Sequence, residues 1–178
     1  MKILEHFNID NTWTLFLDRD GVINELRRGD YVKNISEFIW VDGAIDAIVK
    51  WSNFFTRTIV VTNQQGIGKG LFTHEDVNKI HLYLSTEIEK RGGKIDAIFY
   101  APNLTEENSP LRKPNTGMAM QAKKLFPEID FAKSLMIGDS ISDMQFADGV
   151  GMQKILIEHL GHPIHFDGIK INGLKDLQ

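Results

Sequence analysis

The stretch WTLFLDRDGVIN, residues 13–24, passes from an apolar run to a pair of aspartates within a few positions. Residues 13–17 are short, apolar and rich in β-favouring types, as expected of a strand buried on both faces. The run stops at Asp18, and Asp20 follows two residues on. A buried strand ending in acids sets them in a loop at the carboxyl edge of a sheet. Taken alone, such a pair is a weak signal, because a strand end and a turn readily produce it.

Working outward, residues 42–55 show Ala44, Ile45, Ile48, Val49 and Trp51 at helical spacing, with Asp42 placed to cap the first turn. TIVV at 58–61 reads as a second strand, followed by the polar, glycine-rich loop TNQQGIGKG. Thr73 and Asp76 have the spacing of a capping box, and Val77, Ile80, Leu84 and Ile88 form one stripe ended by Gly92 and Gly93. Further strands are predicted at IDAIFY (95–100), SLMIG (134–138) and KILI (154–157). Helices are predicted after Pro114, through MAMQAKKLF, and around 143–147. Met118, Met120, Leu125 and Phe126 are expected to pack on the sheet. Strands alternating with helices imply an α/β fold, a doubly wound parallel sheet in three layers. No repeat, linker or long insertion interrupts the pattern, so residues 1–178 are expected to form a single domain. The tail from Glu158 to Gln178 offers no assignable pattern.

Composition excludes more than it assigns. Hydrophobic residues make up 42% and charged residues 25%, ordinary values for a globular chain. A net charge of −4 without a basic stripe argues against nucleic acid as a partner. The absence of cysteine removes disulfides and thiolate metal sites. No apolar run approaches a membrane span, and MKILEHFNIDNTW lacks a signal-peptide core, so a cytoplasmic, membrane-free protein is expected. A monomer is the expected state.

In open parallel sheets, functional groups gather beyond the carboxyl ends of the strands. Asp18 and Asp20 follow the first strand, Thr62 and Asn63 the second, Arg112 and Lys113 the loop after the third, and Asp139 the fourth. Singly each has a plainer reading: a turn or cap for Asp139, a dipole-favoured first-turn residue for Asp143, surface charge for Arg112 and Lys113. Together they suit phosphoryl transfer, whose barrier falls through positioning and neutralisation of spread charge. Asp18 is the candidate nucleophile and Asp20 the candidate acid and base. Carboxylate and phosphate repel, so a cation must stand between them, and Mg2+ suits oxygen ligands from Asp18, the Asp20 carbonyl and Asp139. Asp143 is a candidate for holding a metal-bound water. Thr62 and Lys113 are placed to hold phosphate oxygens, and Arg112 to grip a more distant part of the substrate.

At four strand ends, DRDGVIN (18–24), VTNQ (61–64), RKP (112–114) and GDSISD (138–143), the chain resembles the haloacid dehalogenase superfamily of phosphatases. YVKNISEFIWVDGAIDAI, TNQQGIGKGLF and RKPNTGM are similar to its heptose 1,7-bisphosphate phosphatases, with the histidinol-phosphate phosphatases somewhat further away. The resemblance spans about residues 13–157. It implies a Rossmann-like core with no large cap domain, an aspartyl-phosphate mechanism, and Asp18, Asp20 and Asp139 as magnesium ligands. It also implies substrate contacts from Asn63, Gln64 and Arg112, on a small phosphorylated metabolite. Residues 25–30, ELRRGD, occupy the place of a substrate-lining loop, where Arg27 or Arg28 could meet a second phosphate or simply face solvent. Many relatives carry a structural zinc held by Cys and His. The matching positions here are Ala101, Asn103, Ser109 and Leu111, so no structural zinc is expected.

Other signals are weaker. GIGKG at 66–70 lacks the first glycine and the Ser or Thr of a P-loop, and fits no dinucleotide fingerprint. His159, His162 and His165 could bind a transition metal, but Pro163 interrupts any helix that would align them. A phosphoacceptor signalling domain also combines an acidic magnesium pocket with Thr and Lys. Such domains place the acceptor Asp after the third strand, where this chain has Arg112 and Lys113. A binding protein without activity is disfavoured, since every expected catalytic position is competently filled.

Overall fold

A computed structural model describes residues 3–177. In chain order these form α1 (Ile3–His6), β1 (Thr14–Leu17), α2 (Ala44–Ser52), β2 (Arg57–Asn63), α3 (His74–Glu89) and β3 (Ala97–Ala101). They continue as α4 (Gly117–Leu125), β4 (Ser134–Gly138), α5 (Ile141–Asp148), β5 (Gln153–Ile157) and β6 (Lys170–Ile171). The six strands are parallel, in the order β3-β2-β1-β4-β5-β6.

The apolar run of β1 is explained by what lies on its two sides. Leu15 and Leu17 enter a core with Ile48 of α2 and Ile80, Leu84 and Ile88 of α3. Phe16 points the other way, into Met118, Ala119 and Ala122 of α4 and Phe146 and Ala147 of α5. Each such side chain contributes about 1.5–3 kcal/mol by leaving water, so a polar residue in place of Leu15, Phe16 or Leu17 would be costly on either face. The result is the expected Rossmann-like, doubly wound sheet between two helical layers.

The Thr73–Asp76 capping box is present, with both reciprocal bonds made. The start of α2 differs from expectation. Gly43, in the left-handed region at φ 72°, precedes the helix without a side-chain cap, and Asp42 instead accepts from Lys175 Nζ at 2.6 Å. The helix after Pro114 begins only at Gly117, and that after β4 begins at Ile141 behind an unforeseen Ser140 cap. Met118 is buried as expected, but Met120 and Leu125 are exposed. At 100° per residue they turn away from the sheet-facing stripe of Met118, Ala119 and Ala122.

The tail also acquires a place. β6 extends the sheet beside β5, and Leu174 and Leu177 are buried in the core that α2 helps to form. Gln178 lies outside the described residues.

Candidate active site

The strand order reverses at β1: the chain moves outward through β2 and β3, then returns to β4 on the other side. Loops leaving β1 and β4 therefore diverge and open a crevice between them. Asp18 stands at one lip and Asp139 at the other, and Asp18 N donates to the Ile137 carbonyl at 3.0 Å.

Lys113 comes to this crevice from the loop after β3. Its Nζ donates to Asp18 Oδ1 and to the Val61 carbonyl, each at 2.8 Å. It also lies 2.5 Å from Asp143 Oδ1, an ion contact rather than a directed hydrogen bond. Asp143 is fully buried, and its other oxygen takes the Ser140 N–H and Oγ–H at 3.0 and 2.6 Å, closing the box that starts α5. Ligand oxygens of Asp18, Asp139 and Asp143 all fall within 4.8 Å of one another. Burial pushes the Asp18 carboxyl up to about 8, aided by its acidic neighbours and opposed by Lys113. Burial would lower the Lys113 ammonium, but Asp143 and Asp18 outweigh it and hold the group well above its ordinary value. One cation among three close carboxylates leaves an excess of negative charge, and these hard oxygen donors suit Mg2+.

Asp20 turns the other way. Arg19, with no exposed surface, directs one terminal nitrogen to both Asp20 oxygens at 2.9 Å. Asn24 Nδ2 donates to Oδ1 at 2.9 Å and Gln64 Nε2 to Oδ2 at 2.7 Å. Burial raises the Asp20 carboxyl, but the Arg19 charge and these hydrogen bonds prevail and hold it below the usual range. Behind Arg19, its other terminal nitrogen lies 3.3 Å from His81 Nε2. Burial and the guanidinium drive the His81 pKa down to about 3, so the ring is neutral and accepts.

Thr62 is buried at the end of β2, where its Oγ1 accepts from Gln64 Nε2 at 2.9 Å and keeps its own hydrogen to donate. Gln64 is buried too, so its amide bridges Thr62 to Asp20 rather than facing the crevice. Asn63 exchanges two 3.0 Å bonds with the Lys113 backbone and so fixes the loop that presents Lys113. Arg112 lines a hollow of about 230 Å3 with Asn63, Ser109, Asn115 and Ser142, donates to the Asn103 carbonyl at 3.4 Å and feels the charge of Glu106 without a close ion pair among the described residues. Across the crevice, Arg28 lines a groove of about 560 Å3 with Leu26, Asp139, Ser140, His159 and His162. Arg28 too makes no close ion pair among the described residues, whereas Arg27 is engaged by Asp30 and Glu37 at 3.2 and 3.5 Å.

The family model described as HAD-hydrolase-like matches residues 110–159, the stretch that supplies Arg112, Lys113, Asp139 and Asp143. A D-glycero-alpha-D-manno-heptose-1,7-bisphosphate 7-phosphatase of Mycobacterium tuberculosis is 39% identical over 78% of this chain and 73% of its own length. A D-glycero-beta-D-manno-heptose-1,7-bisphosphate 7-phosphatase of Yersinia pestis is 34% identical over 92% of both chains. This chain belongs to the haloacid dehalogenase-like phosphatases. Among solved structures, the D,D-heptose 1,7-bisphosphate phosphatase of B. bronchiseptica, complexed with magnesium and phosphate, superposes with a TM-score of 0.79. That pair shares 27% identity, over 92% of this chain and 94% of the other.

In this phosphatase the residues expected to act together, Asp18, Lys113, Asp139 and Asp143, do meet at one point, with Thr62 and Asp20 at its margin. The signalling-domain alternative falls away with these relatives. Arg19, Asn24, His81 and His159 were not foreseen as parts of the site. His81 did leave a trace: it lies on the stripe of Val77, Ile80 and Leu84, a polar residue at a core position. Of the three C-terminal histidines, His162 and His165 are exposed, whereas His159 Nε2 lies 3.0 Å from Asp139 Oδ2. No helix is long and apolar enough to cross a membrane among the described residues.

Proposed function

We propose that this phosphatase removes the 7-phosphate of a D-glycero-D-manno-heptose 1,7-bisphosphate, with Mg2+ as cofactor and an aspartyl phosphate at Asp18 as intermediate. The observation that supports this most is the buried Lys113 joining Asp18 to Asp143, with Asp139 in the same carboxylate cluster. Asp18, the Asp20 carbonyl and Asp139 would hold the ion. Asp143 stands behind them and acts chiefly on Lys113. Bound there, Mg2+ supplies positive charge to the phosphate oxygens.

Asp18 presents to phosphorus the oxygen that Lys113 does not hold, and the bond from phosphorus to the sugar oxygen breaks as the new one forms. Thr62 donates to an equatorial oxygen, and Lys113 offsets the charge gathered there. In this reading Asp20 enters protonated, against the pull of Arg19, gives that proton to the departing oxygen, and as the resulting carboxylate takes a proton from the water that opens the aspartyl phosphate. Arg112 and Arg28, the two rim arginines without a close ion pair among the described residues, receive the second phosphate and the sugar. The chain works as a cytoplasmic monomer in this reading. It needs no zinc in the loop after β3: Ala101 is buried, Leu111 packs in the core, Asn103 donates to Glu107 at 2.7 Å, and Ser109 accepts from Leu111 N at 3.3 Å.

The test is phosphate release from both anomers of the heptose bisphosphate, from histidinol phosphate and from nucleotides. A heptose bisphosphate is expected to lead by at least about tenfold in kcat/KM, because unfilled polar contacts penalise the smaller ester. EDTA is expected to stop turnover, and a zinc-selective chelator to leave it unchanged. A lead for histidinol phosphate would overturn the substrate, and turnover indifferent to EDTA would overturn the metal.

A further inference from the structure

We propose that His159 is a positioning residue for the metal ligand Asp139, delivered to the site by the C-terminal segment; this rests on the magnesium reading above. His159 Nε2 lies 3.0 Å from Asp139 Oδ2, and a donated N–H would engage that oxygen and leave the other free to face a cation. The side chain of Asp139 is only 8% exposed, so few other partners can orient it.

Gly21 packs against the same oxygen. Its φ is +84°, and a Cβ there would fall 2.0 Å from Asp139 Oδ2 and 3.0 Å from His159 Nε2. Gly21, Asp139 and His159 thus pack as one unit with no room for another side chain. The group of potential metal-ligand atoms holds three aspartates and no histidine among the described residues, so His159 acts on a ligand rather than as one. His159 is itself held in place. Glu158 N donates to the Ile171 carbonyl at 2.9 Å, and Lys170 Nζ bonds Glu158 Oε1 and the Ile164 carbonyl at 2.7 Å each. β6 therefore fixes the residue that orients Asp139. A hydrogen bond to a ligating carboxylate sets its direction, and removing such an outer partner typically weakens metal binding about 10–100-fold.

Mg2+ binding to the full chain, measured by calorimetry, tests this without reference to turnover, alongside the thermal midpoint in EDTA. His159→Ala is expected to weaken Mg2+ affinity by about tenfold or more, with the midpoint in EDTA nearly unchanged. His159→Gln, whose amide can still donate at that reach, is expected to restore most of the affinity, and His162→Ala to have no effect. Wild-type affinity in His159→Ala, or equal weakness in His159→Gln, overturns the inference while the magnesium reading stands. A wild-type chain that binds no Mg2+ overturns both.

Discussion

At the scale of the residue, the site is governed by which charges are paired inside the protein. Replacing Lys113 with Ala leaves Asp143 buried beside Asp18 without a cation, and the expected cost is about 3–5 kcal/mol. Urea denaturation measures it, and a loss below about 1 kcal/mol, the worth of an exposed pair, would contradict the pairing. His81 gives a pH effect of known sign. Its folded pKa, about 3, lies below the ordinary 6.5, so the unfolded chain binds a proton that the folded one refuses. This contribution is present above about pH 6.5 and declines as pH falls toward 3, by at most about 1.4 kcal/mol per unit. His81→Gln, which keeps an acceptor for Arg19, is expected to flatten the difference in stability between pH 7 and pH 5. Asp18, Lys113 and Asp139 were legible because strand ends announce themselves in local pattern. The Arg19–His81 contact was not, because it joins residues 62 positions apart and no local rule pairs them.

At the scale of the element, caps decide where helices begin. Ser140→Ala removes the hydroxyl that starts α5, at an expected cost of about 1 kcal/mol. It also takes away one of the two hydrogen bonds that hold the Asp143 oxygen opposite the Lys113 contact, leaving only the residue-140 N–H, so turnover should fall along with stability. Denaturation and phosphate release on one preparation check both, and a stable variant with normal turnover would refute the link. The α3 box could be read from Thr73 and Asp76 because both partners lie within one turn. The start of α2 could not: Asp42 is drawn off by Lys175, 133 positions away, and Gly43 takes its place. Met120 and Leu125 misled for a related reason. Their apolar character fits a buried stripe, but the stripe's direction is set by Ala119 and Ala122, whose small side chains let α4 approach the sheet.

At the scale of the whole molecule, the tail illustrates structure that periodicity does not encode. A two-residue strand and a single turn carry no repeating pattern, yet Leu174 and Leu177 are buried against the α2 layer. Leu174→Ala is expected to cost about 2–5 kcal/mol in urea denaturation, as for a central core residue; a loss under about 0.5 kcal/mol, typical of surface changes, would show that the tail is merely appended. The pairing of β1 with β4 has a further consequence. Thr14 lies opposite Ser134, so neighbours at the centre of the sheet are 120 positions apart in the chain. As the polypeptide emerges during synthesis, Asp18, Thr62 and Lys113 all precede Asp139. Because distant pairing is slow and domains fold as units, Asp18 waits for Asp139 to take its place beside it. The carboxylate cluster is therefore completed late, as the chain's own signal that its two halves have met.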